Sequence, residues 1–296
     1  MNLIRDREQR GLLLMLAPYL VGLVGLVALP ALITFALAFS EYDLIRSPSW
    51  LGFDNFSELW GDEVFGHAVR NSLLFVAFAV PLRLLGALGL ALLLHRRFRG
   101  VGSYRTASYL PTVVPDVAYA LLWLWILNPL YGPLNLALAA LGGPTPSWLT
   151  DPRAAQAAIV LMSVFQLGEG FLVALAVRQS LPEELYEVSA IERAGPLYTF
   201  RRVTLPLMAP ALLLLAFRDA VYSLQVNFVP ALIVTEGGPP PYATTYLPLF
   251  VYRNAFEYLR YGYAAAATLT MFLATALIVY VQFLIVRRWR RVYATR

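Results

Sequence analysis

Five charged side chains interrupt stretches that are otherwise apolar: Arg83, Asp116, Glu169, Arg218 and Asp219. A charge at the centre of a bilayer costs roughly 2.5–3.5 kcal/mol on insertion scales, so each must face a protein interior or a wet cavity. Two kinds of chemistry are open to them. They can pair and hold helices together, or a carboxylate such as Glu169 or Asp219 can accept hydrogen bonds from the hydroxyls of a polar solute held between helices. Successive helical residues point about 100° apart. Arg218 and Asp219 are therefore not expected to satisfy each other, and Glu169 is the expected partner of Arg218.

Covalent and metal chemistry find little to work with. There is no cysteine, and His67 and His95 are too few and too far apart for a usual histidine metal cluster. No nucleophile–base constellation is evident, which argues against a membrane-embedded enzyme. Every basic residue is arginine. The lysine of a G-x-x-x-x-G-K-[ST] phosphate loop is therefore missing, so ATP, if it drives this protein, is bound with its Mg by another chain. No cofactor and no nucleic-acid partner is expected of this chain.

The elements that must position these charges follow from composition. The chain is 59% hydrophobic and 14% charged, against about 25% charged in soluble domains, and reads as an all-α integral membrane protein. A crossing helix needs about 20 apolar residues. After a basic tail at 1–10, the first run covers 11–39, too long for a signal-peptide core. Further runs fall near 72–94, 107–127, 154–177, 208–234 and 262–286, giving six transmembrane helices, of which the last five form a core at 72–286. A basic tail covers 287–296. Arg5, Arg7, Arg10, Arg96, Arg97, Arg99, Arg105, Arg178, Arg193, Arg201, Arg202 and the C-terminal arginines fall on one side. Only Arg46, Arg70, Arg153, Arg253 and Arg260 fall on the other. The positive-inside rule then puts both termini and the 181–206 loop on the cytoplasmic side.

That loop, with its continuation to Pro210, is the longest polar interruption: LPEELYEVSAIERAGPLYTFRRVTLPLMAP. Ser180 and Glu183 have capping-box spacing. Leu185, Val188 and Ile191 give a short helix one apolar face. Ala194-Gly195-Pro196 should break it. A second short helix, 197–203, should end at Pro206. Glu187-Val188-Ser189, Glu192, Ala194, Gly195, Phe200, Leu205-Pro206 and Pro210 resemble the EAA loop of permease subunits of ATP-binding-cassette importers, above all the sugar importers of the maltose-transporter type. Where that family has Asp-Gly-Ala, this chain has Glu192-Arg193-Ala194, so the bend is expected at Gly195. Other strings resemble the same family: Gly52-Phe53-Asp54-Asn55-Phe56, Asn71-Ser72, Tyr104-Arg105, Leu110-Pro111, Tyr131-Gly132, Asn135, Trp148-Leu149, Gly237-Gly238-Pro239 and Thr244-Thr245. Trp123 and Trp125 are expected at the membrane interface.

The resemblance implies a type I importer permease fold without a large periplasmic insertion. It implies a coupling helix in which Glu187, Val188, Ser189, Ala190, Glu192, Arg193, Ala194 and Gly195 meet a cytoplasmic ATPase. It also implies a second permease as heterodimer partner, two ATPase subunits and an extracytoplasmic sugar-binding protein. Alignment on Asn227-Phe228-Val229 places Ala220, Ser223, Leu224 and Asn227 toward a di- or oligosaccharide of the maltose or trehalose type, with Gln166 at a similar level. Glycerol phosphate, held by Arg83 and Arg218, is the alternative cargo. A secondary transporter, marked by repeats and broken helices, is the alternative class.

Overall fold

The structure, a computed structural model, describes residues 2–96, 98–226 and 228–293, with side chains given for 11–12, 14–96, 98–225 and 228–287. Helix α1 (Asn2–Leu23) continues through a π-helical turn at Val24–Ala28 into α2 (Leu29–Leu37). A small hairpin, β1 (Ser40–Glu41) against β2 (Ser49–Trp50), precedes α3 (Asp54–Gly61) and the long α4 (Glu63–Leu94). Then come α5 (Val101–Val113), α6 (Asp116–Ile126), α7 (Pro133–Ala140), α8 (Pro152–Phe165) and α9 (Gly168–Ser180). The remaining helices are α10 (Glu184–Ile191), α11 (Pro196–Thr199), α12 (Leu205–Val226), α13 (Val229–Ile233), α14 (Leu247–Tyr252) and α15 (Tyr261–Tyr293).

Among the described residues, four helical stretches are long and apolar enough to cross a membrane: Leu14–Leu37, Glu63–Leu94, Pro196–Ile233 and Tyr261–Arg287. The other two expected spans are broken. Helices α5 and α6 meet at 102°, and α8 and α9 at 44°; with each pair taken as one span the total is six. The first break has a local cause. Pro115 lacks an N–H and forces Val114 out of the helical region, to φ −68°, ψ 129°.

Two compact units divide the chain: 1–62 with 251–272, and 63–250 with 273–296. In the first, β1 and β2 pair antiparallel with Ser40 opposite Trp50. Phe39 contacts the rings of Trp50, Phe53 and Phe56. The Asn55 amide donates to Ala38 O (3.0 Å) and Ser40 O (2.9 Å). Ala38 packs against Ala265 and Ala266, and a Cβ on Gly262 would collide with Ser40 O. The small residues opening α15 thus allow close backbone approach. Among the described side chains of Leu14–Leu37, none is buried.

The second unit is built on α4. Its buried residues, among them Phe65, Ala68, Ser72, Phe75, Ala79, Arg83, Ala87, Ala91 and Leu94, recur every three or four positions. That stripe packs on α8, α9 and α12. Near its start, three strings distant in sequence form one hydrogen-bonded unit. Asn71 Nδ2 donates to Tyr242 O (2.8 Å) and Thr245 O (3.1 Å), while its Oδ1 accepts from Gln156 Nε2 (3.2 Å). Ser72 Oγ accepts from Leu247 N (2.9 Å), and Thr245 Oγ1 donates to Gly237 O (3.0 Å). Gly238 has φ +88°, and a Cβ there would lie 2.5 Å from Thr244 N. Trp148 Nε1 likewise donates to Asn135 Oδ1 (2.8 Å), joining two of the loop strings between α6 and α8. Asn71→Leu strands the carbonyls of Tyr242 and Thr245 at about 1–3 kcal/mol each. It should lower stability by about 3 kcal/mol, read as a fall in the thermal unfolding midpoint of the purified protein.

Candidate functional site

Arg83 lies one helical turn from Ala79 on one side and from Ala87 on the other, and these two belong to different apolar clusters. Phe75, Ala79, Tyr119, Trp123, Ile159, Met162 and Tyr246 form one. Ala87, Leu88, Ala91, Phe171, Leu175, Met208 and Leu215 form the other. Arg83 is only 6% exposed, so its guanidinium is held at a level that both dry clusters leave open.

Two cavities share that level. One, of about 120 Å³, is lined by Arg83, Thr112, Asp116, Gln166, Glu169, Arg218, Asp219 and Tyr222. The other, of about 30 Å³, shares Arg83, Asp116, Gln166 and Tyr222 and adds Ser163 and Ser223. Both helix breaks open onto this level. Asp116 begins α6, directly after the Val114-Pro115 break. Gln166 ends α8, and a Cβ on Gly168 would strike Thr112 Oγ1 and lie 3.0 Å from Tyr109 Cα. The break between α8 and α9 is therefore packed directly on α5. An interrupted helix leaves backbone groups unpaired, and such irregular backbone is tolerated at membrane depth where it lines a cavity.

The intramembrane charges are paired in two different settings. Arg83 Nε is 3.6 Å from Asp219 Oδ2, with side chains 7% and 14% exposed. The Arg83 Nη2 also donates to Ser223 Oγ and, at 3.3 Å, to Asp219 O. Arg218 pairs with Glu169, as expected, but both side chains are nearly half exposed to the cavity. The expectation that Arg218 and Asp219 keep apart needs correction: Arg218 Nη1 comes within 3.9 Å of Asp219 Oδ1. The long arginine side chain bends back over the 100° separation. Among the described residues, Asp116 has no ion-pair partner.

Of the residues expected to face cargo, Gln166, Glu169 and Asp219 line the first cavity, and Gln166 and Ser223 line the second. Ala220 and Leu224 do not. Each is 1% exposed and packed within the protein. Asn227 lies outside the described residues. Trp123 is also displaced from expectation: it is 6% exposed and edge-packed on Tyr119 and Phe165, while Trp125 is 54% exposed. Thr112 and Tyr222 escape a reading of the sequence, the first because nothing local marks it, the second because a tyrosine in an apolar run reads as packing.

A second polar zone surrounds α10. The Arg178 guanidinium stacks over the Tyr186 ring at 4.2 Å, and Tyr186 Oη shares a 3.1 Å hydrogen bond with Thr204 Oγ1. Arg178 Nη2 is 3.4 Å from His95 Nε2, and His95 Nδ1 is 2.7 Å from Leu92 O. Burial holds the His95 imidazole below its ordinary pKa, and the positive charges of Arg178, Arg96 and Arg105 add to this. A neutral ring protonated at Nδ1 donates to Leu92 O and leaves Nε2 to accept from Arg178. On α10 itself, Leu185, Val188 and Ile191 are 41%, 53% and 81% exposed, so its apolar face is bare.

Three details of this hairpin differ from expectation. Ser180 does not cap α10; its Oγ donates to Val177 O, and Glu183 occupies the cap position without a side-chain bond. The bend falls on Arg193, with φ +54°, and not on Gly195, whose backbone is extended. Arg193 N donates to Ala190 O (3.0 Å) and Ala194 N to Ser189 O (2.9 Å), the two bonds of a Schellman cap with Arg193 at the position that favours glycine. Pro206 does not end the second helix. A π-helical turn at Phe200–Thr204 runs straight into α12, with Leu205 N bonded to Phe200 O. Shifting the bonding by one residue accommodates a proline in the first turn of α12.

Helices interrupted at one level around a charged cavity are the build of a membrane transport protein. They occur here alongside the hairpin, so broken helices do not by themselves mark a secondary transporter. The chain belongs to the family of binding-protein-dependent transport system inner membrane components, whose profile matches residues 88–291. The probable ABC transporter permease protein YesP of Bacillus subtilis is 31% identical over 272 residues, 90% of this chain and 87% of that one. The sn-glycerol-3-phosphate transport system permease protein UgpA of Yersinia pestis is 34% identical over 245 residues, 82% of each chain. A solved chain from a bacterial ABC transporter that imports the acidic polysaccharide alginate superposes with a TM-score of 0.84 at 25% identity, over 97% of this chain and 99% of that one. A complex of the alginate transporter with its alginate pentasaccharide-bound periplasmic protein gives 0.83 at 24%. The fold is that of a type I ABC importer permease, and the chain is an inner membrane component of a transport system.

Two outcomes test the geometry. Removing one partner of a buried ion pair costs about 3–5 kcal/mol, whereas replacing both can be neutral. Asp219→Leu should therefore destabilise strongly and Arg83→Met with Asp219→Leu much less, as read by a double-mutant cycle on thermal unfolding. Arg193→Gly should raise stability by about 1 kcal/mol, the cost of a left-handed non-glycine residue, measured the same way.

Proposed function

We propose that this chain is one of two permeases in an ATP-driven importer of saccharides, alternately opening its charged cavity to either side of the membrane. An extracytoplasmic binding protein delivers the cargo, two cytoplasmic ATPase subunits bind ATP and Mg, and both termini lie in the cytoplasm. The observation that carries the coupling half of this reading is the bare apolar face of α10 with Glu187 beside it. A helix that is ordered yet shows Leu185, Val188 and Ile191 to the outside fits a groove on another protein. Its ties through Tyr186 to Arg178 and Thr204 would carry motion of the hairpin into α9 and α12. Val188, Ser189, Ala190, Glu192, Arg193, Ala194 and Gly195 complete the contact surface.

Support for a saccharide comes from the cavity, where Gln166, Glu169, Asp116, Ser223 and Tyr222 offer acceptors, donors and one aromatic face. The alginate importer is a polysaccharide precedent. Glycerol phosphate stands as a second reading because the Yersinia relative's name specifies it. Glu187→Arg should abolish uptake and uncouple ATP hydrolysis in the assembled transporter while the chain still inserts. Undiminished uptake at matched expression would remove Glu187 from the mechanism.

A further inference from the structure

We infer that the cargo is a saccharide without an ionised group, and that Asp116 is the residue that selects it. This rests on the importer reading and narrows the substrate class of the same cavity. Five charged side chains line it: Arg83 and Arg218 against Asp116, Glu169 and Asp219. Both cations are already committed, Arg83 to Asp219 and Arg218 to Glu169. Asp116 is left over, an exposed carboxylate at the mouth of the α5–α6 break. The half of the cavity that this chain supplies thus carries one net negative charge among the described residues, and like charges repel. A phosphate, sulfonate or uronate would have to settle beside three carboxylates, with both lining arginines already paired.

A hydroxyl fits where an anion does not. Asp116 needs hydrogen-bond donors, having no ion-pair partner among the described residues. Sugar hydroxyls supply them, and a vicinal pair can donate to both oxygens of the one carboxylate. The buried Arg83 stays with Asp219 and Ser223. Tyr222, 42% exposed at the same level, gives the apolar face of a sugar ring a flat surface.

The test uses the assembled transporter with its binding protein in proteoliposomes. The probes are labelled neutral disaccharides (maltose, trehalose, cellobiose), the corresponding disaccharide uronic acids, and glycerol 3-phosphate. The inference expects uptake of at least one neutral disaccharide, with its uronic acid at least about tenfold poorer, the size of one charged hydrogen bond. Asp116→Asn should lower neutral uptake by about tenfold and narrow the gap to the uronic acid, while Asp116→Glu, which keeps the charge, retains discrimination. Equal or better uptake of an anionic saccharide, or neutral uptake unchanged in Asp116→Asn, overturns the inference and leaves the saccharide reading standing. Uptake of glycerol 3-phosphate and of no saccharide overturns both.

Discussion

The structure depends on keeping one guanidinium charged and dry. Arg83 sits on the buried stripe of the longest helix of its unit, one turn from apolar clusters on either side. An arginine there is tolerable only because Asp219, Ser223 and the backbone of α12 converge on it. Those partners fix how α12 docks on α4, and hence which of its residues face the cavity. The level of Arg83 is also where α5 gives way to α6 and α8 to α9. The packed clusters are thus interrupted once, by a layer in which charges, helix ends and cavities coincide.

Within that layer the two ion pairs divide the work. The Arg83–Asp219 pair is almost fully buried and holds helices together; the Arg218–Glu169 pair is open to the cavity. An exposed pair contributes about 0–1 kcal/mol to stability, so Arg218 and Glu169 set the charge of the cavity wall and hold little of the fold. From the sequence, locking and binding are rival readings of one set of charges. In the folded chain the burial that locking needs falls to Arg83 and Asp219, while Arg218 and Glu169 are left exposed.

Much of this was legible in the residues. Apolar run lengths located the spans, the density of charge between the fourth and fifth located the hairpin, and Glu169 was matched to Arg218. Asn71-Ser72, Gly237-Gly238-Pro239 and Thr244-Thr245, each weak alone, converge in one hydrogen-bonded unit. Run length hides the helix breaks, because residues 107–127 and 154–177 are predominantly apolar throughout, although Pro115 gives the first break a local cause. Ala220 and Leu224 were set on the cavity face by alignment, while in the folded chain both are buried. Arg193 shows the limit of residue preference: glycine suits that bend, yet the chain closes the same pair of capping bonds around an arginine.

The chain contains no cysteine, which allows the central claim, a wet charged layer between two dry ones, to be measured directly. Single cysteines at Gln166, Tyr222, Ala220 and Leu224 in the assembled transporter can be challenged with a hydrophilic thiol reagent, with and without ATP. The account expects Gln166→Cys and Tyr222→Cys to react and to be protected by cargo, and Ala220→Cys and Leu224→Cys to stay silent. Labelling of Leu224→Cys at the rate of Gln166→Cys, or silence of both cavity positions in every state, would contradict it.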